Sequence, residues 1–407
     1  MPQSSTDIFD QLLAAADEGD ADRALAGLAD QLLSQKDYHR LFNVRQMQVR
    51  HGLGLSVIDT GDLDSMTAEH RRKLEDGYVD ACREVGKLLL AEGNIRDAWT
   101  YLQISGDRED VRAALADAQV DEENATELIE VALYEHVAPQ LGFELVLDNF
   151  GTCNAITTLE AELPGLPRDA QLACAGRLVR HLHGELLENV RSDIAQREDT
   201  EAEQATIAEL ISGRDDLLAD QNYHVDTSHL ASVMRFARML EDSESIRLAI
   251  DLAAYGQKLD PQYQYPGEEP FVELYPAEGL FLHALLGEQV DEALSYFRGR
   301  AEGLDIEEDG SLAAEVYIYL LDRLERFNEA IDETVRLIPA DVHTTGFAPG
   351  LLELSKRSGS YEKLMQICRE RDDPLGFAAG LVESRSGGGS FGVRECGGTG
   401  VRESVRV

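Results

Sequence analysis

The stretch NYHVDTSHL places Tyr223, His224, Asp226, Thr227 and His229 within seven residues. Where a chain is extended, alternate side chains share a face, so His224 and Asp226 can converge while His229 returns on the first turn of a following helix. Imidazole and carboxylate groups held that way could ligate zinc, bind a small anion or supply a general base. The competing reading is a helix start, in which Asp226 or Thr227 accepts backbone amide protons and the histidines pack. A second pair, His181 and His183, lies two residues apart in HLHGE. On a helix they project about 200° apart and cannot share a metal, whereas His181 and Glu185, four apart, can lie on one face. The third stretch, DNFGTCNAIT, sets Cys153 between Thr152 and Asn154, close to Gly151. A thiol there needs a base such as His136 to act as a nucleophile; otherwise Cys153 reads as a buried residue at a helix start.

Longer signatures of chemistry are missing. The chain has no G-x-x-x-x-G-K-[ST], no G-x-G-x-x-G after a strand, no G-x-S-x-G and no H-E-x-x-H. Its five cysteines, Cys82, Cys153, Cys174, Cys368 and Cys396, are widely spaced and form no C-x-x-C pair, which suits buried thiols in a reducing compartment. No catalytic residue and no cofactor is assigned. No metal site is assigned either, and His224, Asp226 and His229 stand as the candidates should one exist.

Charge narrows the partners. The 407 residues carry 37 Lys+Arg against 77 Asp+Glu, a net charge of −40, and only six of the basic residues are lysine. Such a surface repels phosphate, so the body is not expected to bind nucleic acid. Scarce lysine with abundant acid fits a surface adapted to high ionic strength or a GC-rich genome; an acidic groove for a basic partner is a third reading, less favoured because the acids are spread along the chain. No run of about 18 apolar residues exists to span a membrane. Residues 1–10 show no basic segment before an apolar core. The expectation is a cytoplasmic protein without membrane contact.

The elements that must hold these residues are helical. No proline falls between Pro2 and Pro139, and Ala, Leu, Glu and Arg recur throughout. Leu230, Val233, Met234, Ala237 and Leu240 trace one helical face, and Ile246, Ala249, Ile250 and Ala253 another after a polar break. Thr227 or Ser228 can cap the first of these helices and Ser243 the second. Ala313, Val316, Leu320, Leu324 and Phe327 form a further stripe, followed by Ile331, Val335 and Ile338. Residues 143–147 (FELVL) are the best strand candidate but fit a helix better.

A short pattern recurs: a turn residue, an apolar residue two positions on, and Ala or Leu three further. It appears as Gly93, Ile95, Ala98; as Gly19, Ala21, Ala24; as Glu288, Val290, Ala293; as Glu325, Phe327, Ala330; and as Gly359, Tyr361, Leu364. Ile246 and Ala249 supply its last two members. The final positions of the later units lie 44, 37 and 34 residues apart. The chain thereby resembles the tetratricopeptide-like (TPR-like) helical repeats, whose unit is a helix-turn-helix of 34 residues. The best match is 76–107, with Gly86 at the small position of the first helix, Gly93 at the turn and Ala98 at the small position of the second. Ala237, Ala249 and Pro261 fit another unit. Phe281, Ile318 and Leu352 occupy the first-helix small position elsewhere, and Pro339 comes three residues early, so the repeats are divergent.

The resemblance implies an all-α array of antiparallel helical hairpins with Gly86, Gly93, Ala98, Ala237, Ala249, Ala293, Ala330 and Leu364 at packing positions. The expected domains are an N-terminal helical block at 1–120, an irregular helical middle at 121–222, TPR-like repeats at 223–383 and a disordered Gly/Arg tail at 384–407. Residues 139–167 read as a loop-rich joint, with a long helix following from Arg168 towards Gln196. Residues 260–275 read as an insertion whose three tyrosines and one phenylalanine either pack down as a lid, the favoured reading, or offer stacking surfaces. The functional expectation is a non-catalytic scaffold or adaptor that binds a peptide or partner helix. The alternative is a ligand- or metal-binding protein, or an enzyme, with a pocket near His224, Asp226 and His229.

Overall fold

The computed structural model describes residues 5–17, 20–58, 66–199 and 205–386. Among these residues are twenty α-helices and no strand, and 75% of them are helical. The tail from 387 onward, Gly19 and Cys396 lie outside the described residues. Two compact units divide at Leu178/Val179, within the long helix Arg168–Glu198.

The first unit contains α1 (Ser5–Asp17), α2 (Ala21–Ser34), α3 (Tyr38–Gly52), α4 (Ala68–Ala91), α5 (Ile95–Ser105), α6 (Arg108–Asp117), α7 (Ala125–Ile129) and α8 (Pro139–Glu162), followed by the start of α9 (Arg168–Glu198). The rest of α9 opens the second unit. There follow α10 (Ile207–Ile211), α11 (Thr227–Ala237), α12 (Ser243–Gly256), α13 (Leu274–Leu285), α14 (Val290–Glu302), α15 (Ile306–Asp309) and α16 (Leu312–Arg323). The chain closes with α17 (Phe327–Leu337), α18 (Leu351–Ser358), α19 (Tyr361–Glu370) and α20 (Pro374–Ser386).

Each helix packs mainly on those next to it in sequence, so most tertiary contacts are local. The starts are set by short acids and hydroxyls. Asp20, Asp37, Thr67, Asp226 and Asp242 each accept a backbone amide of the first turn, satisfying donors that the helix leaves unpaired. The caps of α11 and α12 are therefore Asp226 and Asp242, one residue or more before Thr227, Ser228 and Ser243: a carboxylate accepts these amides and also complements the helix dipole.

Six turns between helices share one geometry. Lys36, Gly93, Gly287, Glu325, Gly359 and Asp372 are left-handed, with φ between 52° and 82°. The next residue donates its amide to the carbonyl five positions earlier: Asp37 to Leu32 at 2.9 Å, Asn94 to Leu89 at 3.0 Å, Arg326 to Leu321 at 2.9 Å and Ser360 to Ser355 at 3.1 Å. This is the Schellman ending, which consumes orphan carbonyls and reverses the chain within a few residues. Gly93, Glu325 and Gly359 are the turn residues of the repeated pattern. In the unit containing Glu288 both neighbours, Gly287 and Gln289, are left-handed, and Glu288 itself is not. A unit unseen in the sequence, Lys36, Tyr38 and Leu41, has the same geometry with Tyr38 and Leu41 buried.

Ala98, Ala237, Ala249, Ala293 and Ala330 are fully buried, and Leu364 is nearly so. At Gly86 a Cβ would stand 2.4 Å from Cγ of Leu102, so α4 and α5 meet where only glycine fits. Near the N-terminus the pattern loses this role, because Ala21 is exposed and Ala24 half-buried. Leu352 is also exposed, off any helix interface, whereas Phe281 and Ile318 are buried.

Two expectations fail here. Residues 139–162 are helix rather than a loop-rich joint; Pro139 occupies the first turn, where its missing amide costs nothing, and Gly151 (φ 77°, ψ 177°) makes a kink within α8. The stripe from Ala313 to Phe327 is not one helix, since Glu325 turns left-handed and Phe327 begins α17. The long helix from Arg168 forms and runs to Glu198. In the second unit Phe271, Phe281 and Phe297 pack ring to ring at 5.2–5.7 Å, so part of the 260–275 insertion is core. Tyr275 is buried as well, while Tyr265 stays exposed.

Candidate functional site

The sequence cluster around residue 224 is drawn together, but by partners that the sequence did not indicate. His224 lies just ahead of α11 with its side chain 5% exposed. Its Nε2 sits 2.9 Å from the Asp193 carboxylate on α9, and its Nδ1 3.0 Å from the Tyr255 hydroxyl on α12. The His224 amide donates to the same hydroxyl at 2.8 Å, and its carbonyl accepts from Asn189 at 2.8 Å. This network assigns one tautomer: Nε2–H donates to Asp193, Nδ1 accepts from the tyrosine, and the tyrosine oxygen accepts the amide. Burial alone would raise the Asp193 carboxyl, but hydrogen bonds from Arg197 and His224 hold it below the usual range. Burial also pushes the Tyr255 phenol upward, keeping it protonated as a donor.

Asp226 faces elsewhere. Its carboxylate accepts from the Ser228 hydroxyl at 2.5 Å and from the Ser228 and His229 amides at 2.8 and 3.3 Å. Those bonds hold its pKa low. His224 and Asp226 thus serve two different structural purposes. Among the described residues no three His, Cys, Asp or Glu side chains are grouped in a way that could hold a metal ion.

His181 and His183 separate as their spacing predicts. His181 lies 3.9 Å from Glu185 at the surface. His183 is buried, and its Nε2 meets Asp251 of α12 at 2.7 Å. Asp251 also accepts the amides of Ile207 and Ala208 at 2.7 and 2.8 Å, closing the start of α10. One turn before His183, Arg180 reaches the buried Ser245 hydroxyl at 2.6 Å. The α9 segment of the second unit is therefore pinned to α12 by a polar seam.

Cys153 is exposed, not buried, on the far side of the Gly151 kink. His136 points its Nε2 at Glu162, 3.9 Å away, and makes no hydrogen bond to Cys153. Cys82, Cys174 and Cys368 are buried. Burial pushes the Cys174 thiol up to about 12 and raises the other two as well, the opposite of what a thiolate nucleophile needs.

The second unit also buries acids on apolar helix faces, Glu278, Glu315 and Asp322 among them. Glu315 of α16 gathers the Ser311 and Thr345 hydroxyls at 2.6 and 3.0 Å and the Thr345 and Phe347 amides at 2.7 and 2.8 Å. Asp322 pairs with Arg357. Glu278 of α13 is fully buried, with Oε1 2.5–2.8 Å from the Arg238 guanidinium and Oε2 lacking any partner. Arg238 in turn lies 3.7 Å over the Phe271 ring. Burial raises the Glu278 carboxyl to about 7, against the pull of Arg238. A lone acid inside an otherwise apolar helical stretch was the available signal for all of these; the partner's identity was not.

Open grooves face solvent in both units. In the first, about 740 Å³ is bounded by the α4–α5 turn, α6 and α7, with Leu90, Ile95, Ala114 and Leu128 among polar neighbours. In the second, about 470 Å³ lies across α12, α13 and α14, lined by Ile250, Ala254, Pro276, Leu280 and Tyr296, with Glu273 and Glu292 also in its wall.

The chain matches no protein-family model, and comparisons with curated proteins and with solved structures give no match. No helix among the described residues is long and apolar enough to cross a membrane.

Proposed function

We propose that the chain is a non-catalytic interaction scaffold, a divergent TPR-like array of helical hairpins that holds a peptide or partner helix on its surface. The observation that carries this reading is the recurrent Schellman turn followed by a helix with a buried small or apolar residue in its first turns. The left-handed residues of the last hairpins, Glu325 and Gly359, lie 34 positions apart, the length of one tetratricopeptide unit. Stacked hairpins of this kind present extended grooves without needing any reactive group. The polar clusters supply further support, because His183, His224, Asp226 and Asp251 are each committed to cap, pin or seam. The alternative, a ligand, metal or catalytic pocket at His224, Asp226 and His229, would have to break those bonds.

Affinity capture from native lysate, paired with metal analysis of the purified protein, separates the two. A protein partner held in fixed stoichiometry without metal supports the scaffold. One equivalent of zinc lost on His224→Ala substitution overturns it.

A further inference from the structure

The groove of the second unit has a definite chemical character. Its walls come from three helices: Ile250 and Ala254 on α12, Pro276 and Leu280 on α13, and Glu292 and Tyr296 on α14. The Tyr296 hydroxyl donates to the Pro270 carbonyl at 3.2 Å, so the middle of α14 lies beside the segment that leads into α13. The two helices therefore run antiparallel, as a four-residue connection requires. Glu273, which immediately precedes α13 without a capping bond from its side chain, and Glu292, in the first turn of α14, consequently mark opposite ends of the trough. The other charges nearby are balanced among themselves. Glu288 lies 2.7 Å from His283 and 3.6 Å from Arg247, and Glu269 pairs with Arg300. Glu273 and Glu292 are exposed, and among the described residues neither side chain pairs with a cation.

Resting on the scaffold reading, we propose that this groove docks a short amphipathic helix of a partner protein, with Leu-type anchors on one face and Lys or Arg near both ends. The helical mode follows from the wall. The described residues offer no strand edge for strand addition, and the one aromatic ring in the groove, Tyr296, has its hydroxyl tied to Pro270, unlike a polyproline-binding cleft. The stripe from 273 to 283 rises about 15 Å, the length of a partner helix of about ten residues. Apolar side chains at i, i+3, i+4 and i+7 would lie between Ile250, Ala254 and Leu280, and the terminal cations would meet Glu273 and Glu292. The net charge of −40 brings such a partner in from a distance, while the apolar floor selects its periodicity.

The test uses three fluorescein-labelled 18-residue peptides: a Leu/Lys amphipathic helix, a scrambled Leu/Lys sequence without helical periodicity, and a Leu/Glu helix. Anisotropy is read at physiological salt against the full-length chain. The Leu/Lys helix should bind at least tenfold more tightly than either control. Glu273→Gln with Glu292→Gln, both surface changes, should weaken it at least fivefold, and Leu280→Glu at least tenfold. Glu307→Gln with Glu308→Gln, removing two exposed acids of α15, should change it less than twofold. Equal binding of the scrambled peptide, or equal losses from the α15 pair and the groove pair, would overturn the proposal by making the attraction a general property of the acidic surface. Groove-dependent peptide binding with no partner captured from lysate would uphold the groove chemistry and count against the scaffold reading. Partners retained by the Leu280→Glu protein would overturn the groove and leave the scaffold standing.

Discussion

Replacing Glu278 by glutamine should alter how stability depends on pH. The native carboxyl titrates at about 7, because burial disfavours the ion more than Arg238 favours it; an ordinary glutamate titrates at 4.5. A raised carboxyl binds its proton more readily in the folded than in the unfolded chain, so stability rises as pH falls through 7 and levels off near the unfolded value. Integrating between pH 8.5 and 5.5 gives a gain of about 2 kcal/mol for the wild type, which glutamine, with no proton to take up, cannot share. Stopping at 5.5 keeps the protein a full unit above its isoelectric point near 4.5. Urea unfolding followed by circular dichroism, run on both proteins across that range, measures the difference at each pH. The wild-type advantage over Glu278→Gln should grow by about 2 kcal/mol as pH falls, whatever its value at pH 8.5. A difference flat to within about 0.5 kcal/mol would refute the reasoning, showing that Arg238 neutralises Glu278 fully.

Other substitutions probe the helical array. Ala98→Leu and Ala330→Leu overpack helix contacts with no free volume and should each cost about 1–3 kcal/mol in thermal or urea melts. Asp251→Ala strands the Ile207 and Ala208 amides and the His183 ring, with an expected loss of about 3–5 kcal/mol. Lys36→Gly relieves a left-handed lysine whose exposed contact with Glu92 is worth little, and should stabilise by about 0.5 kcal/mol in the same assay. Screening of a −40 chain should raise its melting temperature between dilute buffer and molar NaCl, since the Debye length falls from about 30 Å at 0.01 M to about 3 Å at 1 M.

Helices with one apolar face were readable because their period is local. The α11–α12 hairpin follows from Leu230, Val233, Met234 and Ala237 against Ile246 and Ala249, all of them buried except for partial exposure elsewhere on the same helices. The turns were readable where a turn residue is followed by the apolar and small positions of the repeated pattern, at Gly93, Glu325 and Gly359. The Lys36 turn was hidden because the Schellman hydrogen bonds can hold a non-glycine residue there at modest cost. The α8 helix was hidden by residues 148–157, where asparagine, glycine and threonine suggest a loop while only Gly151 leaves helical geometry. At the polar cluster the helix-start reading of Asp226 needed only its neighbours. The bonds of His224 to Asp193 and Tyr255 join residues 31 positions away on either side, and no local pattern encodes such a pairing.

The central claim is that partner binding occurs on the helical surface and needs none of the imidazole and carboxylate clusters. Its most direct test is isothermal titration of a captured, purified partner against three proteins: wild type, Leu280→Glu and His224→Ala, each checked for an unchanged helical circular dichroism spectrum. The account predicts that Leu280→Glu weakens binding at least tenfold while His224→Ala leaves it within twofold. Binding lost in His224→Ala and kept in Leu280→Glu would contradict it.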